Sequence, residues 1–314
     1  MVSCLYPNSM RTLSSINTGL LESTGHCLVF TPNSLPIDGI FVRTPYCTFN
    51  PAKTVSIVIC TYGRPESLNE TLASLTEQTY KDFEVILLTE KGDLSQLRDS
   101  GLRCARGDIV SFIDDDVYCP PAWLESVVKG FRVGVVGVSG PTFIPDSFRG
   151  KRDLFKWPWL GIHDWLFLEG KALIPGYLSS SGTPSYASSR GTVFQEDCDC
   201  LYLEACNISV RKKEAIEVGG FDLSFTKTSE WCEVDLSLKL SQRGQLRFLG
   251  GASLTHKPSQ EGIYKERLKT NHRWKNFLYF QKKWENKFIK PGLMTYAYRG
   301  WVWTYLTLKN IRMI

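Results

Sequence analysis

The chain has 314 residues, 43% apolar and 22% charged, close to the globular average, which excludes wholesale disorder and collagen-like structure. No apolar stretch approaches the roughly 20 residues of a spanning helix, and no charged segment leads into an apolar one at the N-terminus, so neither an integral membrane protein nor signal-peptide export is expected. The net charge of +5 is uneven: Lys257–Ile314 holds 13 Lys/Arg against 3 Asp/Glu, and such a basic tail on an acidic body suggests an anionic partner for the tail.

Residues 1–52 are polar, punctuated by Pro32, Pro36, Pro45 and Pro51, and read as an extension with short strands at Cys27–Phe30 and Gly39–Val42. Val55–Thr61 is a β-branched run that fits a strand buried on both faces. Gly63-Arg64-Pro65 breaks it, and Leu68, Leu72 and Leu75 place a helix over Glu66–Gln78. Phe83–Leu88 is a second strand, Leu94–Arg106 a second helix, and Ile109–Ile113 a third strand that runs into Asp114-Asp115-Asp116. Pro120 and Pro121 open a helix through Lys129, and Val133–Ser139 is a fourth strand. This alternation with short connections is the signature of βαβ units and a doubly wound α/β sheet.

After residue 140 the pattern loosens. Lys156–Leu168 is Trp-rich, and Ser179–Thr192 is rich in Ser and Gly and reads as a mobile loop, with Gly182–Gly191 a candidate lid or an exposed linker. Asp199–Val210 regains strand character. Gly219-Gly220-Phe221-Asp222 is a turn, Glu233–Gln242 a helix, Leu246–Leu249 a strand, and a further strand leads to His256. Ile263–Phe288 reads as a long basic helix. The ten cysteines form no CxxC pair, and the closest-spaced of them, Cys198, Cys200 and Cys206, have no His near them in sequence, which favours reduced thiols over a zinc site.

Three adjacent carboxylates behind an apolar strand repel one another and lose hydration. A divalent cation such as Mg²⁺ or Mn²⁺, held by oxygen ligands and shared with substrate phosphates, accounts for keeping them together. Their place at a strand's carboxyl end, where ligands bind in open α/β sheets, favours this over a solvated acidic turn.

From here the chain resembles a known family. Ser56–Pro65, Ser74–Tyr80, Ala105–Asp116, Asn207–Arg211, Gly219–Asp222 and Glu230–Leu236, in this order over Val55–His256, are similar to the family 2 glycosyltransferases of GT-A fold. The resemblance implies a mixed, mostly parallel sheet flanked by helices, and transfer of a sugar from a nucleoside diphosphate sugar to an acceptor hydroxyl, with inversion, in glycan or polysaccharide assembly. It places Thr61, Tyr62, Arg64 and Arg98 against the nucleotide, Asp114 and Asp115 beside the ribose or sugar, and a Mn²⁺ or Mg²⁺ ion on Asp116 with Asp114 and His256. Glu90 stands where the family usually carries a base-reading aspartate. An inverting transfer needs a carboxylate that takes the acceptor's proton. The family position of that base is Glu233, with Asp235 contacting the acceptor or bracing the fold; charge compensation at a helix start is the bland alternative for both.

The expected division is an extension over 1–52, a GT-A domain over 53–256 and a basic aromatic helical tail over 257–314. The tail interleaves 12 aromatics with its basic residues, as an interfacial helix does toward anionic lipid; packing on the catalytic domain explains it equally well. The expected partners are a nucleotide-sugar donor and a glycan or lipid-linked acceptor, with no nucleic acid, for a cytoplasmic enzyme with peripheral contact at the membrane inner face. Two other readings stay open: a sugar-phosphate nucleotidyltransferase, disfavoured by the single glycine in Thr61–Pro65, and a non-catalytic membrane or nucleic-acid adaptor. No P-loop, GxGxxG or HExxH occurs.

Overall fold

A computed structural model describes residues 27–30, 54–148, 153–185, 196–258 and 270–310. The strand expected at Gly39–Val42 lies outside them. In chain order the elements are β1 (Cys27–Phe30), β2 (Val55–Cys60), α1 (Pro65–Thr76), β3 (Phe83–Leu88), α2 (Leu94–Cys104), β4 (Ile109–Asp114), β5 (Val117–Tyr118), α3 (Trp123–Gly130), β6 (Val135–Ser139) and β7 (Thr142–Phe143). Then follow α4 (Asp153–Phe167), β8 (Cys198–Cys200), β9 (Asn207–Arg211), α5 (Lys212–Glu217), α6 (Cys232–Leu240), β10 (Gln245–Phe248), β11 (Leu254–His256), α7 (Asn271–Trp284) and α8 (Leu293–Asn310). The Trp-rich stretch that carried no assigned element is therefore the helix α4, its pattern blurred by Pro158.

The main sheet runs β1-β3-β2-β4-β9-β6-β10-β8. β3, β2 and β4 are parallel, and β9 lies antiparallel between β4 and β6. β10 pairs parallel with β6, while β1 and β8 close the two edges in the antiparallel sense. The sheet is thus mixed with most strands pointing one way, as the alternating pattern up to residue 139 implies. What that pattern does not contain is β9, which crosses back into the middle of the sheet.

The period-2 alternation of β2 feeds two cores. Val55, Ile57 and Ile59 meet Leu72, Leu75, Trp123 and Val127 from α1 and α3 on one face. On the other face Val58 joins Leu97, Leu102, Leu236 and Leu240, together with Phe277, Phe280, Trp284 and Tyr298 from the tail. Burying such side chains contributes about 1.5–3 kcal/mol each. Both helices of the tail are therefore folded onto the domain, which settles where its buried aromatics go. α2 reaches the sheet through Gly101, where an added Cβ would lie 2.4 Å from a Val58 methyl.

The second sheet, β5-β11-β7, is small. β11 pairs with β5, placing His256 opposite Val117, and the Lys257 N–H donates to the Asp116 carbonyl at 2.8 Å. The described part of the expected lid is not loose: Ser179, Ser181, Thr183 and Ser185 are buried. The Gln281 amide donates to the Ser181 carbonyl at 3.1 Å, and the Lys290 N–H donates to the Ser180 carbonyl at 2.8 Å. Ser and Gly here serve close packing against the tail; residues 186–191 lie outside the described ones. Among the described residues no helix is long and apolar enough to cross a membrane.

Candidate active site

The end of β4 delivers Asp114, half-buried, and Asp115 and Asp116, both buried. Carboxylates this close need positive charge nearby. Arg64, just past β2, supplies it, lying 2.5 Å from Asp115 and 2.8 Å from Asp116. Burial still pushes the Asp115 carboxyl up to about 7, against the lowering effect of Arg64 and of a hydrogen bond with Thr61. Thr61 is itself buried, its N–H donating to the Leu88 carbonyl at 2.9 Å. Tyr62 and Glu90 are half-buried beside the ends of β2 and β3, and the Lys91 ammonium sits 6.0 Å from the Tyr62 ring centre.

Arg98, on the buried face of α2, lies between two acids. Its guanidinium pairs with Glu233 and stands 3.5 Å from Asp114. Burial opposes the charge of Arg98, but Glu233, Cys232 and Asp114 outweigh it and hold the guanidinium protonated. Glu233 occupies the first turn of α6, which opens at Trp231 in a left-handed conformation, φ 71°. The aspartates of the rim, the candidate base and Arg98 thus meet at the carboxyl end of β4.

Asp235, two residues on, points elsewhere. It is fully buried and accepts a hydrogen bond from the Trp284 indole at 2.9 Å. Lys283 lies 2.7 Å and Lys239 3.5 Å from its carboxylate. Of the two roles expected for it, these contacts are those of bracing, tying α6 to the tail helix α7.

His256 reaches the rim through the pairing of β11 with β5. Its Nε2 lies 3.0 Å from Asp116 Oδ1. Its Nδ1 lies 3.9 Å from the Cys206 thiol, which donates to Asp114 Oδ2 at 2.8 Å. One ligand atom each from Asp114, Cys206 and His256 falls within 4.8 Å of the others. A carboxylate, an imidazole and a thiol at this spacing suit a divalent metal.

Cys206 is the residue that reading by sequence missed. The signal available was its place immediately before the Asn207–Arg211 motif. Asn207 fixes that corner: buried, it donates to the Ala252 carbonyl at 2.7 Å and accepts from the Trp123 indole at 3.1 Å, holding the loop that leads into β11.

Residues 56–90 and 85–178 match the model of the family "Glycosyl transferase family 2". The glucosyl-dolichyl phosphate glucuronosyltransferase of Haloferax volcanii is 28% identical over 130 residues, covering 32% of this chain and 42% of that protein. The chain thus spans less than half the length of this curated relative. Among solved structures, GalNAc-T7 with UDP, GalNAc and Mn²⁺ superposes with a TM-score of 0.50 at 13% identity, over 75% of this chain and 48% of that one. The mannosyltransferase PcManGT from Pyrobaculum calidifontis, in complex with GDP-Man and Mn²⁺, gives a TM-score of 0.46 at 14% identity over 82% and 70%. The acidic rim on β4 lies inside the segment that matches the family 2 glycosyltransferase model, and the fold is of GT-A type.

Proposed function

We propose that the protein transfers a sugar from a nucleoside diphosphate sugar to an acceptor hydroxyl, with inversion at the anomeric carbon, in the building of a glycan. The observation that supports it most is the meeting of Glu233 with the aspartate rim across Arg98. A single displacement needs one base near the attacking oxygen and positive charge near the leaving diphosphate. In this reading Glu233 takes the acceptor's hydroxyl proton as that oxygen bonds to the anomeric carbon, while the bond from that carbon to the diphosphate oxygen breaks. Arg98 orients Glu233 and adds charge on the donor side. Arg64, Thr61 and Tyr62 line the end of β2, where the nucleotide would lie, with Glu90 at the end of β3 toward its base.

Asp114 and His256 would hold a divalent ion such as Mn²⁺ or Mg²⁺. The Asp116 carboxylate on the far nitrogen of His256 orients the ring, as carboxylates commonly do behind metal-bound histidines, and Asp115 completes the rim. When bound, the ion supplies charge against the departing diphosphate. The test is a donor panel assayed with Mn²⁺ and with Mg²⁺: product of inverted configuration supports the reading. Hydrolysis and transfer both absent across all donors, with donor binding intact, would reject it.

The tail adds a finer part. The outward face of α8 carries Leu293, Tyr296, Ala297, Gly300, Trp303, Thr304 and Thr307, with no charged residue among them, and Trp165 of α4 is 78% exposed. A solvent-facing helix surface is normally charged. With the basic excess of the tail, this face fits anionic lipid. Sedimentation with anionic but not zwitterionic vesicles, weakened by salt, is the expected result, and no binding at low salt removes the membrane contact.

A further inference from the structure

We propose that Cys206 is a protein ligand of the divalent centre beside Asp114 and His256, which makes that centre one for a borderline-soft transition ion such as Zn²⁺ or Co²⁺ in preference to Mg²⁺. The proposal rests on the reading that an ion sits at this rim. Three observations carry it. The thiol stands 2.8 Å from Asp114 Oδ2 and 3.9 Å from His256 Nδ1, inside a set whose ligand atoms all fall within 4.8 Å. Asp116 Oδ1 lies 3.0 Å from Nε2 of the same ring. With Nε2 turned to that carboxylate, Nδ1 is the ring nitrogen that faces Cys206. Finally, Cys206 has φ 73°, a left-handed conformation that side chains with a Cβ rarely adopt and that strain often marks at functional sites.

Donor chemistry then selects the metal. Mg²⁺ seeks oxygen ligands in near-ideal octahedral geometry, whereas thiolate and imidazole suit Zn²⁺ and its neighbours. Binding is balanced by one proton: the Cys206 S–H proton leaves to solvent as sulfur bonds to the ion, and metal affinity rises with pH accordingly.

The experiment uses the full chain with Co²⁺ alone as the probe. Wild type is expected to show the near-ultraviolet sulfur-to-cobalt charge-transfer band. Cys206→Gly should lose it, and glycine suits the left-handed backbone, so that variant keeps its fold. Cys198→Ser should keep it, since that thiol lies outside the set. In parallel, alkylation of Cys206, followed by peptide mass analysis, should be suppressed by Zn²⁺ or Co²⁺ and not by excess Mg²⁺. Cobalt bound in a manner that His256→Ala abolishes, but with no charge-transfer band and unchanged Cys206 alkylation, overturns the thiol ligand while leaving the rim a metal site. No cobalt bound at all by equilibrium dialysis overturns both.

Discussion

Arg98 and Glu233 are 135 residues apart in the chain and share an ion pair, and the same guanidinium stands 3.5 Å from Asp114. One buried cation therefore registers the helix that carries the candidate base against the strand that carries the acidic rim. The separation of Glu233 from the rim is set by that cation and by whatever holds α2 in place.

Replacing Glu233 by glutamine keeps the shape and removes the proton acceptor. Transfer should fall by about 10²–10⁴-fold, the usual worth of a positioned general base, while calorimetry still finds the donor bound. Near-normal turnover in this variant would take Glu233 out of the mechanism.

Gly101 lets α2 approach the sheet. In Gly101→Ala the new methyl would meet Val58 at 2.4 Å, so α2 must move out, and Arg98, three residues before it on the same helix, moves with it. Overpacking of this kind costs about 1–3 kcal/mol. The expected signature is a lowered denaturation midpoint together with a fall in kcat larger than the change in donor affinity; an unchanged kcat would show that α2 does not set the registry.

The contacts of Asp235 point to stability. Asp235→Asn removes the counter-charge beside Lys239 and one of the two carboxylates that hold Lys283, and hydrogen bonds to charged groups are worth about 1.5–3 kcal/mol. Urea unfolding followed by tryptophan fluorescence should show the midpoint fall, since Trp284 is the indole bonded to this carboxylate. A loss of activity with unaltered stability would instead assign Asp235 to acceptor contact.

Acid should loosen the tail. Burial works against ionisation of Asp222, but hydrogen bonds from Lys283, the Ser224 N–H and Tyr279 outweigh it and hold the carboxyl well below its usual value. A carboxyl depressed in the folded state contributes stability that is fully present above its unfolded pKa of about 3.9 and is lost as pH falls below it. The melting temperature of wild type should therefore drop more steeply than that of Asp222→Asn below about pH 4. Parallel curves would show that this contact does not fasten α7.

A metal bound to the native state alone raises its stability, by about 2.7 kcal/mol at a hundredfold excess over Kd. Mn²⁺ should raise the melting temperature of wild type, and His256→Ala should flatten the response while leaving the protein folded. An equal shift in the variant would place the ion away from Asp114 and His256.

The amino-acid order by itself determined the first half of the sheet. The runs at Val55, Phe83, Ile109 and Val135 are strands, and the leucine spacing between them makes helices, because both patterns are local and each burial face repeats every 2 or 3.6 residues. The same local logic put Asp114–Asp116 at a strand end, and the helix bearing Glu233 was legible from its leucines. Only the tertiary structure decided the rest. The resemblance sets Arg98 toward the nucleotide, but its ion pair with Glu233 exists only because α6 packs beside α2. For Asp235 the sequence leaves acceptor contact and bracing both open, and it is Trp284 and Lys283, arriving from the tail, that give it bracing contacts; the tail's aromatic pattern alone fits lipid or core equally well. Cys206 and His256 reach the rim through β9 crossing into the sheet and β11 pairing with β5. Contacts closed over about a hundred residues leave no periodic trace in the chain, because the loop entropy they cost depends only weakly on what lies between their ends.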